Sequence, residues 1–264
     1  MEKPFPHPPL WRESRMGLEL AGLLRDPVFR GAGVTDGGNQ PVLLIPGFLA
    51  GDESLRVMGR WLKGTGHHPN RTGIRSNVSC SAKAMNRLED RLEALVERQG
   101  RRAAIIGHSR GGTFAKVLAH RRPDLVSGIV TLGSPLNNPF SIHPVVRLQI
   151  EALAALGRMG IPGLFSRACL EGDCCGSFWE DLQADMPRGV GHVAVYSRTD
   201  GVVSWRACQA PGADLVEVES SHCGMAVHGD VYRVVADSLV AFRRRDARRR
   251  PVSRGAVPRL RSVA

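Results

Sequence analysis

The sequence predicts an α/β fold: a mostly parallel central sheet with helices on both faces and a helical insertion over one end. Three observations carry this. Short continuous apolar runs, the pattern of strands buried on both faces, alternate with segments of helical period. Strands separated by helices imply parallel pairing through crossover connections. The 264 residues are also enough for one such domain to bury a sizeable core without metal or disulfide staples.

Taken in order, Met16, Leu20, Leu23 and Leu24 fall at helical spacing and predict an N-terminal packing helix; a membrane-surface anchor would want a more basic polar face. Residues 42–45 are the first buried strand, closed by Pro46-Gly47. Residues 53–63 have helical spacing, and residues 71–77 allow a short strand. Residues 82–99 put Leu88, Leu92, Leu95 and Val96 on one helical face and stop at Gly100. Residues 103–106 form the next strand, 112–120 a helix, and 128–132 a further strand. After a long interruption come strands at 193–197 and 215–218. A helix over 231–242 closes the domain, with Val231, Val234, Val235, Leu239 and Phe242 turned inward. Within the interruption, residues 143–159 look helical and residues 160–178 mix Gly, Pro and Cys. A structureless stretch of this length is unusual inside a compact domain, so short helices forming a cap are expected over about 137–188. The expected organisation is one domain over residues 1–242 and a basic tail over 243–264.

Composition excludes several function classes. At 42% hydrophobic and 23% charged, the chain reads as globular rather than disordered. Its most apolar early stretch contains Glu19 and follows four prolines, Glu2 and Glu13, with no small-residue cleavage site. It therefore resembles neither a membrane span nor a signal peptide, and a cytoplasmic protein is expected. The formal charge of +11 is concentrated: nine arginines against the single acid Asp246 put +8 into residues 243–264. A near-neutral body with a basic tail is not a nucleic-acid-binding fold. The tail reads as a solvated appendage, with transient contact to nucleic acid or anionic lipid as its functional alternative. Six cysteines in so long a chain read as buried thiols. Cys169, Cys174 and Cys175 lack a second Cys-x-x-Cys or His-x-x-x-His arm for zinc, and Gly31-Ala32-Gly33 lacks the third glycine and preceding strand of a dinucleotide motif. No metal or organic cofactor is expected.

The chemistry points to Gly107-His108-Ser109-Arg110-Gly111, placed between a buried strand and a helix. A nucleophile elbow demands this context, because the serine sits in a strained turn and the flanking glycines let strand and helix close around it. A serine hydroxyl is a weak nucleophile, so it needs a base and an acid orienting that base. Asp200 follows the strand at 193–197, and His222 lies in the loop Ser220-Ser221-His222-Cys223-Gly224 before the last helix, both at carboxyl ends of strands. Asp214, Asp181, Asp185, His192, His120 and His228 compete, but Asp214 and His192 fall before their strands, Asp181 and Asp185 lie in the insertion, His120 ends a helix, and His228 lies near the start of the last helix, six residues beyond the expected loop. Acyl transfer also needs oxyanion donors, and the backbone N–H groups of Arg110 and Phe48 are the candidates.

On these motifs residues 41–242 resemble an α/β-hydrolase of the lipase and carboxylesterase kind, with elbow, acid loop and histidine loop in family order. The resemblance implies Ser109 as nucleophile, Asp200 as acid, His222 as base, and Phe48 with Arg110 as oxyanion donors. It also implies that the insertion is a cap over an acyl pocket. The chain departs from many bacterial lipases in having Pro46-Gly47 where they carry His-Gly. The expected function is cleavage of carboxylic esters of small molecules or lipids through an acyl-enzyme. Acyl transfer and thioester or amide cleavage use the same machinery, and a non-enzymatic scaffold with a binding tail is the alternative of a different class. Convergence of the acid and histidine loops also predicts that Cys208 and Cys223 lie close together, within reach of a bridge or packing as free thiols.

Overall fold

The computed structural model describes residues 8–248. A 3-10 turn over Leu10–Arg15 leads into α1 (Met16–Arg25), which precedes the first strand, β1 (Pro41–Ile45). Then follow α2 (Arg56–Gly64), β2 (His68–Arg71), α3 (Ser81–Gln99), β3 (Ala103–His108), α4 (Arg110–Arg121) and β4 (Val126–Leu132). The insertion supplies α5 (Pro144–Arg158), α6 (Arg167–Glu171) and α7 (Gly176–Gln183). The chain returns through β5 (Gly191–Tyr196), β6 (Asp214–Glu217) and α8 (Gly229–Ala247).

All six strands are parallel, in the order β2-β1-β3-β4-β5-β6. Burial on both faces explains the continuous apolar runs. Along β1, Leu43 and Ile45 pack with α3 and α4 on one side, while Val42 and Leu44 pack with α2 and α8 on the other. β3 divides in the same way, Ile105 to the first layer and Ala104 and Ile106 to the second. Because every strand here runs in one direction, all the carboxyl ends open on one edge, where loops can converge.

The structure corrects several boundaries. The second strand is His68–Arg71, ending where the sequence suggested a beginning. It is an edge strand, His68-Pro69-Asn70-Arg71, with none of the apolar run that marks its neighbours. Residues 72–73 turn away because the Asp52 carboxylate accepts from Thr72 N–H, Thr72 Oγ1 and Gly73 N–H. In α1 only Leu23 is fully buried; Met16 and Leu24 are exposed, since the helix meets the domain on a narrow face. α8 continues past Phe242 to Ala247, and Asp246 accepts from Arg102 at 2.7 Å, so the first residues of the basic segment pack on the domain. Val234 is only partly buried. The expected tail from residue 249 onward lies outside the described residues. Among the described residues, no helix is long and apolar enough to cross a membrane.

Candidate active site

Ser109 stands between β3 and α4 with φ 52° and ψ −123°, a left-handed backbone conformation that a non-glycine residue adopts only under strain. A side chain at Gly107 would collide with Gly111, and one at Gly111 with Ile45 and Pro46, which is why the motif needs glycine at both positions. Ser109 N–H donates to Leu132 O at 2.8 Å, fixing the turn against the end of β4.

The next residue, Gly133 (φ 54°), lies beneath the other two candidates: a Cβ there would stand 3.1 Å from both Asp200 Oδ2 and His222 Nδ1. His222 Nδ1 and Asp200 Oδ2 are 2.7 Å apart, and both residues are buried. Asp200 Oδ1 accepts from the N–H groups of Val202 and Val203, each at 2.8 Å, so the carboxylate is held from both ends. With Nδ1–H donating to the carboxylate, the opposite ring nitrogen, Nε2, is the one left to accept a proton. Burial works against the charged ring. The Asp200 carboxylate, by charge and by hydrogen bond, together with the Glu13 charge outweighs it and holds the His222 pKa above the ordinary value.

Three supports are absent from the sequence reading. Glu13 Oε1 accepts from Gly201 N–H and His222 N–H, and its Oε2 from Cys223 N–H, all at 3.0 Å, so one carboxylate ties the acid loop to the histidine loop. Glu19 accepts from Ser221 N–H at 2.7 Å and Ser221 Oγ at 2.5 Å. His108 has its pKa pushed down to about 4, by burial first and by the His222 charge second, so it is neutral at pH 7. Its Nε2–H therefore donates to the His222 carbonyl at 2.9 Å. None has a local signature; the nearest signal is a pair of acids close to the N-terminus, Glu13 in the 3-10 turn and Glu19 on the apolar helix α1.

The loop after β1 is held without the histidine of many bacterial lipases. Asn77 Nδ2 donates to Pro46 O at 2.8 Å, and Asn77 N–H to Ala50 O at 2.9 Å. Arg110 reinforces this from the elbow: Nη1 donates to Asn77 O at 2.8 Å, and Nη2 to Ser79 O at 2.8 Å and Ser81 Oγ at 3.1 Å. The guanidinium also lies over the Phe114 and Phe165 rings. Burial pulls its pKa down to about 10, against the opposing pull of the nearby Cys175, Cys80 and Cys169.

Phe48, Ser109 and Arg110 line one cleft with about 760 Å³ of empty space, counting its open mouth. Its other walls are mainly apolar side chains of the cap and its flanks, among them Phe140, Ile150, Phe165 and Leu170. The competing residues are engaged elsewhere. Asp181 pairs with Arg121 at 2.5 Å, and His192, inside β5 rather than before it, lies 3.3 Å from Thr131 Oγ1 with burial pushing its pKa down to about 3. His228 caps α8 by accepting from Asp230 N–H, and Asp214 opens β6.

Cys208 and Cys223 form no bridge: Cys208 is buried with its thiol toward Ser204 O, whereas Cys223 is exposed. The cysteines that do assemble are others. Cys80, far from the others in sequence, joins Cys169, Cys174 and Cys175.

A family model described as the alpha/beta hydrolase fold matches residues 40–158. No curated protein matches the chain. Among solved structures, the mature lipase BlEst2 of Bacillus licheniformis is similar at a TM-score of 0.54 and 14% identity, over 78% of this chain and 94% of that one. A monoglyceride lipase from Saccharomyces cerevisiae in complex with a substrate analogue is similar at a TM-score of 0.55 and 14% identity, over 81% and 90%. A monoacylglycerol lipase of Paleococcus ferrophilus is similar at 0.52 and 14%, over 79% and 97%. At these identities the likeness is one of fold, and it agrees with the parallel sheet of the structure: the chain has the α/β-hydrolase fold.

Proposed function

We propose that the protein is a serine hydrolase that cleaves carboxylic esters. The observation that carries this reading is the buried Asp200–His222 pair at 2.7 Å, its imidazole ring 4.8 Å from that of His108, the residue before the strained elbow serine, which itself lines an apolar cleft. Ser109 Oγ attacks the acyl carbonyl while His222 Nε2 takes its proton. The tetrahedral oxyanion accepts from Phe48 and Arg110 N–H, and collapse transfers the His222 proton to the leaving alcohol. Water, activated by the same histidine, then releases the acyl group and restores the serine. Asp200 stays ionised throughout, holding the imidazole tautomer and stabilising its charged form.

The aromatic and aliphatic cleft walls favour an acyl chain over a peptide or a sugar, and the lipases among the similar folds agree with that choice. We place the activity in the cytoplasm, where a reducing pool suits six cysteines that form no disulfide. The test is a panel of esters of increasing acyl length, assayed with the parent and with Ser109→Ala. Hydrolysis that depends on Ser109 and improves as the chain lengthens to fill the cleft is expected. Activity unchanged in Ser109→Ala would refute the assignment.

A further inference from the structure

The four clustered cysteines take no part in the chemistry above. Cys80 immediately precedes α3, Cys169 lies in α6, and Cys174 and Cys175 occupy the turn between α6 and α7. Their sulfur atoms all lie within 4.8 Å of one another. The closer pairs are Cys169–Cys174 at 3.3 Å, Cys80–Cys175 at 3.6 Å, Cys174–Cys175 at 3.7 Å and Cys80–Cys174 at 3.9 Å. Four thiolates bound tetrahedrally to one zinc ion, at about 2.3 Å each, stand about 3.8 Å apart along every edge. The sulfurs thus already outline the ligand shell of such an ion. A pair of disulfides would instead draw two of these separations to about 2 Å. Thiolates on the separate irons of an iron–sulfur cluster would spread wider than this group does.

A second observation concerns charge. Every hydrogen bond of the Arg110 guanidinium goes to a neutral oxygen of Asn77, Ser79 or Ser81, and no ion pair with a carboxylate is found for it among the described residues. Ser79 and Ser81 are the chain neighbours of Cys80, so the cation sits directly against the cysteine group. One divalent ion on four thiolates carries a net charge of −2, which supplies the missing counter-charge.

We propose that Cys80, Cys169, Cys174 and Cys175 form a closed zinc site that fastens the cap to the start of α3, beside the cleft that Cys169 and Leu170 help to line. On binding, each thiol gives its proton to solvent and four zinc–sulfur bonds form. The ion stays Zn(II), so neither oxidant nor reductant is required. With all four positions taken by sulfur, no place is left for a water or substrate, and the role is structural. The site escapes a reading by spacing because one arm, Cys80, precedes Cys174 by 94 residues and belongs to a different layer of the fold. Only folding brings the cap onto α3.

The test is metal analysis of the full chain purified without chelator under reducing conditions, followed by removal of the metal and titration with cobalt(II). The expected result is about one zinc per chain. Cobalt should restore it with the intense visible bands of tetrahedral thiolate coordination. Cys80→Ser and Cys174→Ser should lose the metal, and Cys208→Ser should keep it. Protein that carries less than about a tenth of an equivalent of zinc and binds no cobalt in its reduced form would overturn the proposal. So would disulfides among these four residues in freshly isolated protein. Metal content is read without any ester assay, so its failure is separable from failure of the hydrolase reading.

Discussion

In the proposed mechanism Ser109, Asp200 and His222 act as one device, so their replacements should not contribute additively. Ser109→Ala and His222→Ala are each expected to lower kcat by roughly 10⁶, and Asp200→Asn by roughly 10⁴, with the fold intact in all three. Steady-state kinetics on a small soluble ester decides; a silent Asp200→Asn would mean that another acid orients the base. The pH profile offers a finer test. His222 must be neutral to take the serine proton, so kcat/KM rises as pH passes upward through its pKa, which Asp200 and Glu13 hold above the ordinary histidine value. Glu13→Gln removes a negative charge that favours the imidazolium. The His222 pKa then falls, and the acidic limb of the profile moves to lower pH; an unmoved limb would show that Glu13 does not act on the base. The triad candidates were legible because chain order, flanking glycines and the ends of strands all pointed to the same three positions. Glu13 was not legible, since it meets His222 across 209 residues and nothing near it in the chain announces that contact.

Each element that positions the site has its own point of failure. α1 holds the histidine loop through Glu19, whose two oxygens accept from the backbone and hydroxyl of Ser221. Glu19→Ala leaves those partly buried donors unpaired and is expected to cost about 1–3 kcal/mol, read by denaturant unfolding, with kcat falling alongside. α8 is keyed to the sheet by Phe242, whose ring fills the space left by Gly128 and Gly191. Phe242→Ala should cost about 3–5 kcal/mol through the cavity it opens. A loss below 1 kcal/mol would show that the neighbours collapse into that space. Among the elements, β1, β3, β4 and β5 were legible as apolar runs because both of their faces are covered. β2 was misplaced because an edge strand needs no such run: its residues, His68-Pro69-Asn70-Arg71, pair with Pro41–Leu44 on one side only.

At the scale of the whole molecule, the parallel architecture, the cap and the convergence of loops at one sheet edge were all legible in the alternation of periods. Two long-range features were not, the cysteine group and the docking of the last helical turn, because each joins residues far apart in sequence. The second has a measurable consequence. Arg102 is buried, and Asp246 at 2.7 Å is its carboxylate partner. Truncation after Arg245 should therefore destabilise the protein by about 2 kcal/mol, a buried-pair loss discounted for the partial exposure of Asp246. Truncation after Arg248 should leave both stability and small-ester turnover unchanged; equal melting temperatures for the two truncations would remove the pair from the account. The central claim is that Ser109 is a nucleophile activated by His222, and its most direct measurement is labelling by a serine-directed phosphonate with peptide mapping of the adduct. The parent should be modified at Ser109 alone, at a rate that collapses in His222→Ala. Modification at another serine, or labelling of Ser109 at an undiminished rate without His222, would contradict it.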